Sequence, residues 1–417
     1  MDTGTFTYHV VALGSPGSGK TVYLSALHHV LGDDAQAVDK WVTATVDEPE
    51  KRSYLTKTYN LAIKPDDQHW PAGTHSGEQM REFIFTFRAA WSQHRLFGKV
   101  KRHNYPALSV SYVDYAGEWI PEGDEQAHDV FEPFKQRVKE ADALLGIIDG
   151  LKLLQFMTGH PLGASFMYDQ VRPIVAFMED TDAPLHFIIT KWDLFSGSGF
   201  TLEDVRAKLL DSGQAGFRKL IESRTAHKRL SRRAVGTVRL IPVTAVGGLA
   251  VLQDDWTIAK SSTAVATQLH VEVPLIAAVY DICDREAERL RKGNTNDPAG
   301  VEAADALGND VERAGKVAQK QMGGPQGPDV KIGFTGLSFS LQQIVTFVAD
   351  SGQDAVRALG KPAVKTGRAL RRCTRQVRAR DIEGVTSPEA ALYYVMRALR
   401  RRLRDFEHQQ PNTTLDA

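Results

Sequence analysis

Eight consecutive residues, Gly14, Ser15, Pro16, Gly17, Ser18, Gly19, Lys20 and Thr21, fit the spacing G-x-x-x-x-G-K-[ST] at every position. They follow an apolar, β-branched run, Tyr8–Leu13, and lead into a helical pattern from Thr21 to Leu31. A strand that breaks into glycines and then into a helix turns successive backbone N–H groups inward and sets the positive end of the helix behind them. That arrangement suits phosphate oxygens. The Lys20 ammonium reaches outer phosphates, and the Thr21 hydroxyl suits Mg2+. The competing reading, a glycine-rich turn with a solvated lysine, is disfavoured by the strand before it and the helix after it.

The rest of the N-terminal two-thirds supports the α/β architecture that such a loop demands. Apolar strands are expected at Phe83–Phe87, Leu108–Val113, Ala143–Ile148, His186–Ile189 and Val238–Val243, with helices at Val130–Glu140, Tyr168–Met178 and Leu202–Leu220. Alternation of this kind predicts a doubly wound, mostly parallel sheet between helical layers, α/β/α, with a small helical C-terminal region. No helix of crossover length separates the first two of these strands, which are therefore expected to pair antiparallel.

Three strand ends carry chemistry. Asp114 closes a strand and can hold Mg2+ through water; Gly117, three residues on, can offer its N–H to a terminal phosphate. The segment Thr190-Lys191-Trp192-Asp193 closes another. A single carboxylate at Asp193 can accept both the N1–H and the 2-amino group of guanine, whereas adenine would present it with a lone pair. The aliphatic stem of Lys191 can lie over a base plane. At the last strand, Thr244 and Ala245 are small enough for the Ala245 N–H to approach the guanine carbonyl oxygen.

In order, the elements GSPGSGKT, DYAGE, TKWD and TAVG resemble the translation-factor-related P-loop GTPases. The wording LGSPGSGKTVYLSAL, WPAGT, VDYAGEW and ADALLGIIDG resembles bacterial GTPase-like proteins of the "double-GTPase" type, over about residues 6–285. The resemblance implies that GTP or GDP binds with Mg2+. It implies that GTP is hydrolysed slowly to GDP and phosphate as a molecular switch in bacterial signalling or defence. A catalytically weak GTP-sensing module and an ATP-dependent regulator are the alternatives.

The family's residues carry over to Gly17, Gly19, Lys20 and Thr21 for phosphate and metal. They carry over to Asp114 and Gly117 for metal and γ-phosphate, and to Lys191, Asp193 and Ala245 for the base. The first switch of the family needs a threonine for Mg2+ and γ-phosphate; Thr74, in Trp70-Pro71-Ala72-Gly73-Thr74, is chosen over Thr56 and Thr58. Where small GTPases place a water-orienting glutamine, this chain has Glu118, read as a substitute in catalysis or as a structural residue. A carboxylate there would be repelled by the phosphates unless protonated or paired with metal. Potassium-activated relatives use an asparagine where Gly17 stands. No arginine finger can be assigned among Arg52, Arg81, Arg95 and Arg102, so turnover is expected to be slow without a partner.

Net charge is zero but unevenly spread: from Lys331 onward there are 15 Lys/Arg against 8 Asp/Glu, leaving 36 against 43 before it. We therefore expect three parts: a nucleotide domain at 1–290, a Gly/Pro-rich linker or insertion at 291–330, and a basic helical region at 331–417. In the last of these, Leu392, Val395, Met396, Leu399, Leu403 and Phe406 recur at helical spacing among arginines. A solvated face on a docked helix ranks first, then a protein-partner or anionic-membrane surface, then nucleic acid, since no aromatics interleave the arginines. The long segment from Val30 to Thr74 is a second place for partner contacts. Two cysteines, no stretch of about 18 apolar residues and no basic leader point to a soluble cytoplasmic protein.

Overall fold

A computed structural model of the 417-residue chain describes residues 6–32, 38–65, 69–71, 81–94, 100–114, 128–179, 181–211, 213, 215–231, 237–291, 329–331, 338–340, 385 and 388–415. It begins with β1 (Phe6–Gly14), α1 (Lys20–Gly32), β2 (Val42–Val46) and α2 (Pro49–Ile63). Two long strands follow, β3 (Arg81–His94) and β4 (Val100–Asp114). Then come α3 (His128–Glu140), β5 (Ala143–Ile148), α4 (Gly150–Met157), α5 (Pro161–Ser165), a π-helical turn (Phe166–Val171), α6 (Arg172–Met178) and β6 (Leu185–Ile189).

Seven strands form one sheet in the order β2-β3-β4-β1-β5-β6-β7, where β7 spans Arg239–Pro242. The pairs β1·β5, β5·β6 and β6·β7 are parallel, with Val10 opposite Ala143, Ile147 opposite Ile188 and Ile188 opposite Ile241. Every residue of β5 and β6 is buried, as parallel strands covered on both faces require. Strands β3 and β4 are sheet neighbours joined by residues 95–99. Five residues reach about 18 Å at most, far less than a parallel return along a 14-residue strand needs, so this pair is a hairpin.

One core lies between the sheet and its helices. Val11, Leu13, Leu144, Ile148, Phe187, Ile189 and Leu240 meet Phe134 and Val138 of α3, Leu153 and Leu154 of α4, and Val175 and Met178 of α6. Val205 and Leu209 of α7 (Leu202–Asp211) and Phe217 and Leu220 of α8 (Phe217–Ser231) complete it. The alternate residues of β1, Val10 and Ala12, are equally buried on the other face. Helix α1 packs against α2 and β2.

The segment read as one helix over Leu202–Leu220 is two: the first ends at Asp211, and the second begins at Phe217, just after Gly216 with its left-handed φ of 76°. The helix expected at Tyr168–Met178 starts as a π-helical turn and becomes α-helical only at Arg172; Pro173 lacks the N–H that an α-helical bond at that point needs. Within the long segment from Val30 to Thr74, Pro49–Ile63 is a regular helix that buries Leu55, Thr58, Tyr59 and Ala62.

Past β7 come β8 (Thr244–Gly247), the hairpin of β9 (Ala250–Leu252) and β10 (Ile258–Lys260), β11 (Thr267–Leu269) and α9 (Val273–Arg291). Strand β11 pairs antiparallel with β8. A short hairpin of β12 (Asp329–Lys331) and β13 (Ser338–Ser340) pairs Val330 with Phe339. The last helix, α10 (Pro388–Gln409), starts at a proline, whose fixed φ and missing N–H suit the first turn of a helix. No helix among the described residues is long and apolar enough to cross a membrane.

The chain divides into two compact units. One comprises Thr7–Phe87, Ser109–Ile282 and Ala398–Ala417; the other comprises Met1–Phe6, Arg88–Leu108 and Cys283–Arg397. Ala398–Ala417 falls in the same unit as Thr7–Phe87 and Ser109–Ile282. Leu399, Leu403 and Phe406 are buried. Arg402 pairs with Glu272 at 2.5 Å, and Arg401 with Asp39 at 3.5 Å.

Beyond α10, Leu240 N–H donates to Thr413 O and Leu415 N–H to Val238 O, so this tail runs along the outer edge of β7. Nearby, buried Arg239 contacts Asp281 at 2.5 Å and Glu407 at 3.0 Å, with His186 Nε2 3.6 Å from Asp281. Burial, and then the Arg239 charge, hold His186 well below the usual histidine range, so it is neutral. In the second unit, Trp91 is buried and stacks on His103 at 4.1 Å.

Candidate functional site

Between β1 and α1, Gly17 and Gly19 take φ values of 73° and 86°, which only glycine adopts readily, and these let the chain wrap back upon itself. Lys20, the first residue of α1, folds inward. Its ammonium donates to the carbonyls of Gly14 at 2.7 Å and Ser15 at 3.0 Å. Burial lowers its pKa to about 8, against the opposing pull of Asp114. The buried Ser15 and Ser18 hydroxyls have no hydrogen-bond partner. The loop therefore holds a charged group on backbone carbonyls with polar atoms still to be satisfied, as a site for an anion would.

Thr21 and Asp114 come together from α1 and the end of β4: the Thr21 hydroxyl donates to Asp114 Oδ2 at 3.5 Å, and Asp114 is fully buried. A hydroxyl and a carboxylate beside a phosphate loop form the sparse, hard oxygen set that Mg2+ uses with a nucleotide. No cluster of three or more His, Cys, Asp or Glu suited to a metal occurs among the described residues. The donors present fit Mg2+ completed by phosphate oxygens.

At the end of β6, the Thr190 hydroxyl donates to Ser18 O at 2.7 Å and to Ile148 O at 3.2 Å. Lys191 takes a left-handed φ of 53°, and its ammonium spans Gly17 O at 3.1 Å and Asp149 Oδ2 at 2.8 Å. The loop carrying Asp193 is thereby tied to the loop carrying Lys20 at two points. Asp193 lies in a short 3-10 turn, Trp192–Phe195. Its Oδ2 is buried without a hydrogen-bond partner.

Burial raises the pKa of Asp193, opposed by its own amide, Thr244, the Gly248 amide and the Lys191 charge. Thr244 and Ala245 in β8 join the group through the preceding residue: Val243 N–H donates to Ile189 O at 2.8 Å, and Val243 O accepts from Trp192 N–H at 3.1 Å.

Gly14, Ser15, Pro16, Gly17, Ser18, Gly19, Lys20, Thr21, Asp114, Thr190, Lys191, Asp193, Thr244 and Ala245 are thus described. Thr74, Gly117 and Glu118 lie outside the described residues. Thr58, a rival to Thr74, is buried in α2; Thr56 bonds the Arg52 carbonyl one turn back.

Two contributors escaped the sequence reading. Asp149 caps α4 through the Leu151 amide and anchors Lys191 with its other oxygen. An Asp-Gly pair closing an apolar strand before a helix is the signal that marks it. Lys260 in β10 donates to Leu61 O at 2.9 Å and His69 O at 2.8 Å and lies 4.8 Å from the Trp70 ring. It holds the chain just ahead of Thr74, and nothing local in the sequence announces that.

A glycine-rich loop between β1 and α1, at the middle of a mostly parallel sheet with helices on its faces, defines the P-loop α/β architecture. No protein-family model matches the chain, and no curated protein matches it. Among solved structures it is similar to one described as the "Signal recognition particle receptor SRb-GTP/SRX complex from Chaetomium thermophilum". The likeness has 14% identity and a TM-score of 0.29, over 60% of this chain and 96% of that chain. At that score it carries no weight beside the geometry.

Proposed function

We propose that the chain binds GTP and GDP with Mg2+ and hydrolyses GTP slowly as a molecular switch. The observation that supports this most is the double tie between the loops. Thr190 and Lys191 donate to the Ser18 and Gly17 carbonyls, which puts an unpartnered Asp193 oxygen at the end of a phosphate loop. A purine nucleotide bridges those two features, and guanine supplies the two donors that a carboxylate wants.

In this reading, Lys20 leaves its carbonyl partners for the β- and γ-phosphates, while the free loop amides, those of Gly17 and Gly19 among them, take the remaining oxygens. Thr21 and Asp114 would hold Mg2+, which would neutralise phosphate charge there. Thr74 and Gly117 contact the γ-phosphate, and Glu118 orients water. Lys191 covers the base, Asp193 accepts its N1–H and 2-amino group, and Ala245 donates to its carbonyl. The same resemblance in sequence makes bacterial signalling or defence the setting, in the cytoplasm. A protein partner would dock on the long switch segment or the basic C-terminal region, ahead of anionic membrane or nucleic acid.

Titration with labelled GTP, GDP and ATP, with and without Mg2+, tests the binding half. ATP bound as tightly as GTP would turn the reading to an ATP-dependent regulator. Unchanged guanine-nucleotide affinity in Lys20→Ala would remove the phosphate site. Single-turnover phosphate release by wild type and Glu118→Gln tests hydrolysis. Release no faster than background leaves a GTP-sensing module.

A further inference from the structure

His270 stands between β11 and α9 with a φ of 55°, a left-handed backbone that a histidine adopts at a cost. It is 6% exposed. Its Nδ1 lies 3.2 Å from the carbonyl oxygen of Pro242. On its other side the ring meets Phe406 of α10 edge to face, 4.8 Å between centroids at 77°. Strained conformations persist where the surroundings over-determine them, and they concentrate at sites where geometry matters.

Pro242 is the last residue of β7, and the peptide after it is where the two base-facing segments cross. Val243 N–H bonds Ile189 at the end of β6, Val243 O accepts from Trp192 N–H, and Thr244 and Ala245 follow at once. A donor on the Pro242 carbonyl fixes the orientation from which Ala245 N–H is presented.

We propose that His270 is a positioning residue for base recognition: by holding the Pro242 carbonyl it aims the Ala245 amide at the guanine carbonyl oxygen, and Phe406 of the C-terminal helix holds His270 in place. This rests on the guanine-nucleotide reading above. The imidazole acts as a neutral Nδ1–H donor. Burial and the nearby Arg402 charge lower its pKa, while the Pro242 carbonyl opposes them. The helix that the sequence presents as a basic appendage thus takes part in nucleotide choice.

The test compares GDP with 2-aminopurine riboside diphosphate, which keeps the 2-amino group and lacks both the carbonyl oxygen and the N1–H; Asp193 meets the same N1 change in every variant, so a shift of the ratio between variants reads the carbonyl contact. His270→Gly tolerates the left-handed backbone and deletes the donor; His270→Asn tolerates it and places an amide donor where Nδ1 was. The preference for GDP is expected to fall about tenfold in His270→Gly, to return to within about threefold of wild type in His270→Asn, and to fall partway in Phe406→Leu. Equal loss of affinity for both nucleotides in His270→Gly would mark a merely structural role and overturn the proposal. So would an unchanged ratio. Should His270→Gly fail to fold, Phe406→Leu decides, and an unchanged ratio there overturns the proposal. Wild type that binds both nucleotides equally overturns the base-recognition reading itself, and this inference with it.

Discussion

The hydroxyl of Thr190 donates to the backbone carbonyl of Ser18 across 2.7 Å, joining two loops that stand 172 residues apart in the chain. Thr190 is buried, and its hydroxyl also reaches Ile148 O. Ile148 O also accepts the Thr190 N–H at 3.1 Å, so it is the Ser18 carbonyl that depends on this hydroxyl, and the loop carrying Asp193 takes its position from the loop carrying Ser18.

Replacing Thr190 by valine keeps the shape and deletes both bonds. Labelled GDP should bind about tenfold more weakly, since leaving a buried acceptor unpaired costs about 1–3 kcal/mol. Thr190→Ser, which retains the hydroxyl, should stay within about threefold of wild type. Equal affinity in Thr190→Val and wild type would show that the two loops hold their positions independently.

Lys20 predicts a pH dependence. Its folded value of about 8 lies below its ordinary 10.5. Between the two the unfolded chain holds more protons than the folded one, so this group's contribution to stability rises with pH across that window. Binding moves the opposite way, because the phosphates need the ammonium. Nucleotide affinity should be level below pH 8 and fall by about tenfold per pH unit above it. Lys20→Arg, whose charge persists, should flatten the curve. Titrations from about pH 7 to about pH 9 would check this; a wild-type affinity that stays level throughout contradicts it.

Lys260 gives a stability prediction. Lys260→Met keeps the stem but leaves the carbonyls of Leu61 and His69 without their ammonium. A loss of about 2–3 kcal/mol is expected, read as a lower urea midpoint with an unchanged slope. A change below about 0.5 kcal/mol would mean that solvent satisfies those carbonyls as well as the lysine does.

Deleting residues 411–417 removes the partners of Val238 and Leu240 and the buried Leu415 side chain. The expected cost is about 3 kcal/mol, or a thermal midpoint lower by about 5–10 °C. Self-association that grows with concentration should accompany it, because β7 would then present an open edge. Light scattering beside a thermal melt would register both effects.

Much of the fold is legible because local pattern and final structure agree. The strand–loop–helix from Tyr8 to Leu31 is set by glycines whose φ values other residues adopt only at a cost, and β5 and β6 by largely apolar runs, the second containing His186. Helix α2 is harder to see: its buried face is narrow and half polar, made of Leu55, Thr58, Tyr59 and Ala62. The split at Gly216 is marked by its glycine but masked by helical spacing on either side. Within the site, Asp114, Thr190, Lys191 and Asp193 are legible because strand ends bring motifs together. Asp149, Lys260 and His270 act through partners dozens to hundreds of residues away. No short-range period encodes such a meeting, and the packing of α10 through Leu399, Leu403 and Phe406 is hidden for the same reason.

The pairing of β7 with residues near the end of α10 sets a schedule for synthesis. Arg239 and Glu407 are 168 residues apart. A ribosome adding about 5–20 residues per second needs roughly 10 to 30 s to travel between them. For that interval the nascent sheet has no cover of its own for its last strand, and whatever accompanies the emerging chain must shield it until the closing segment arrives.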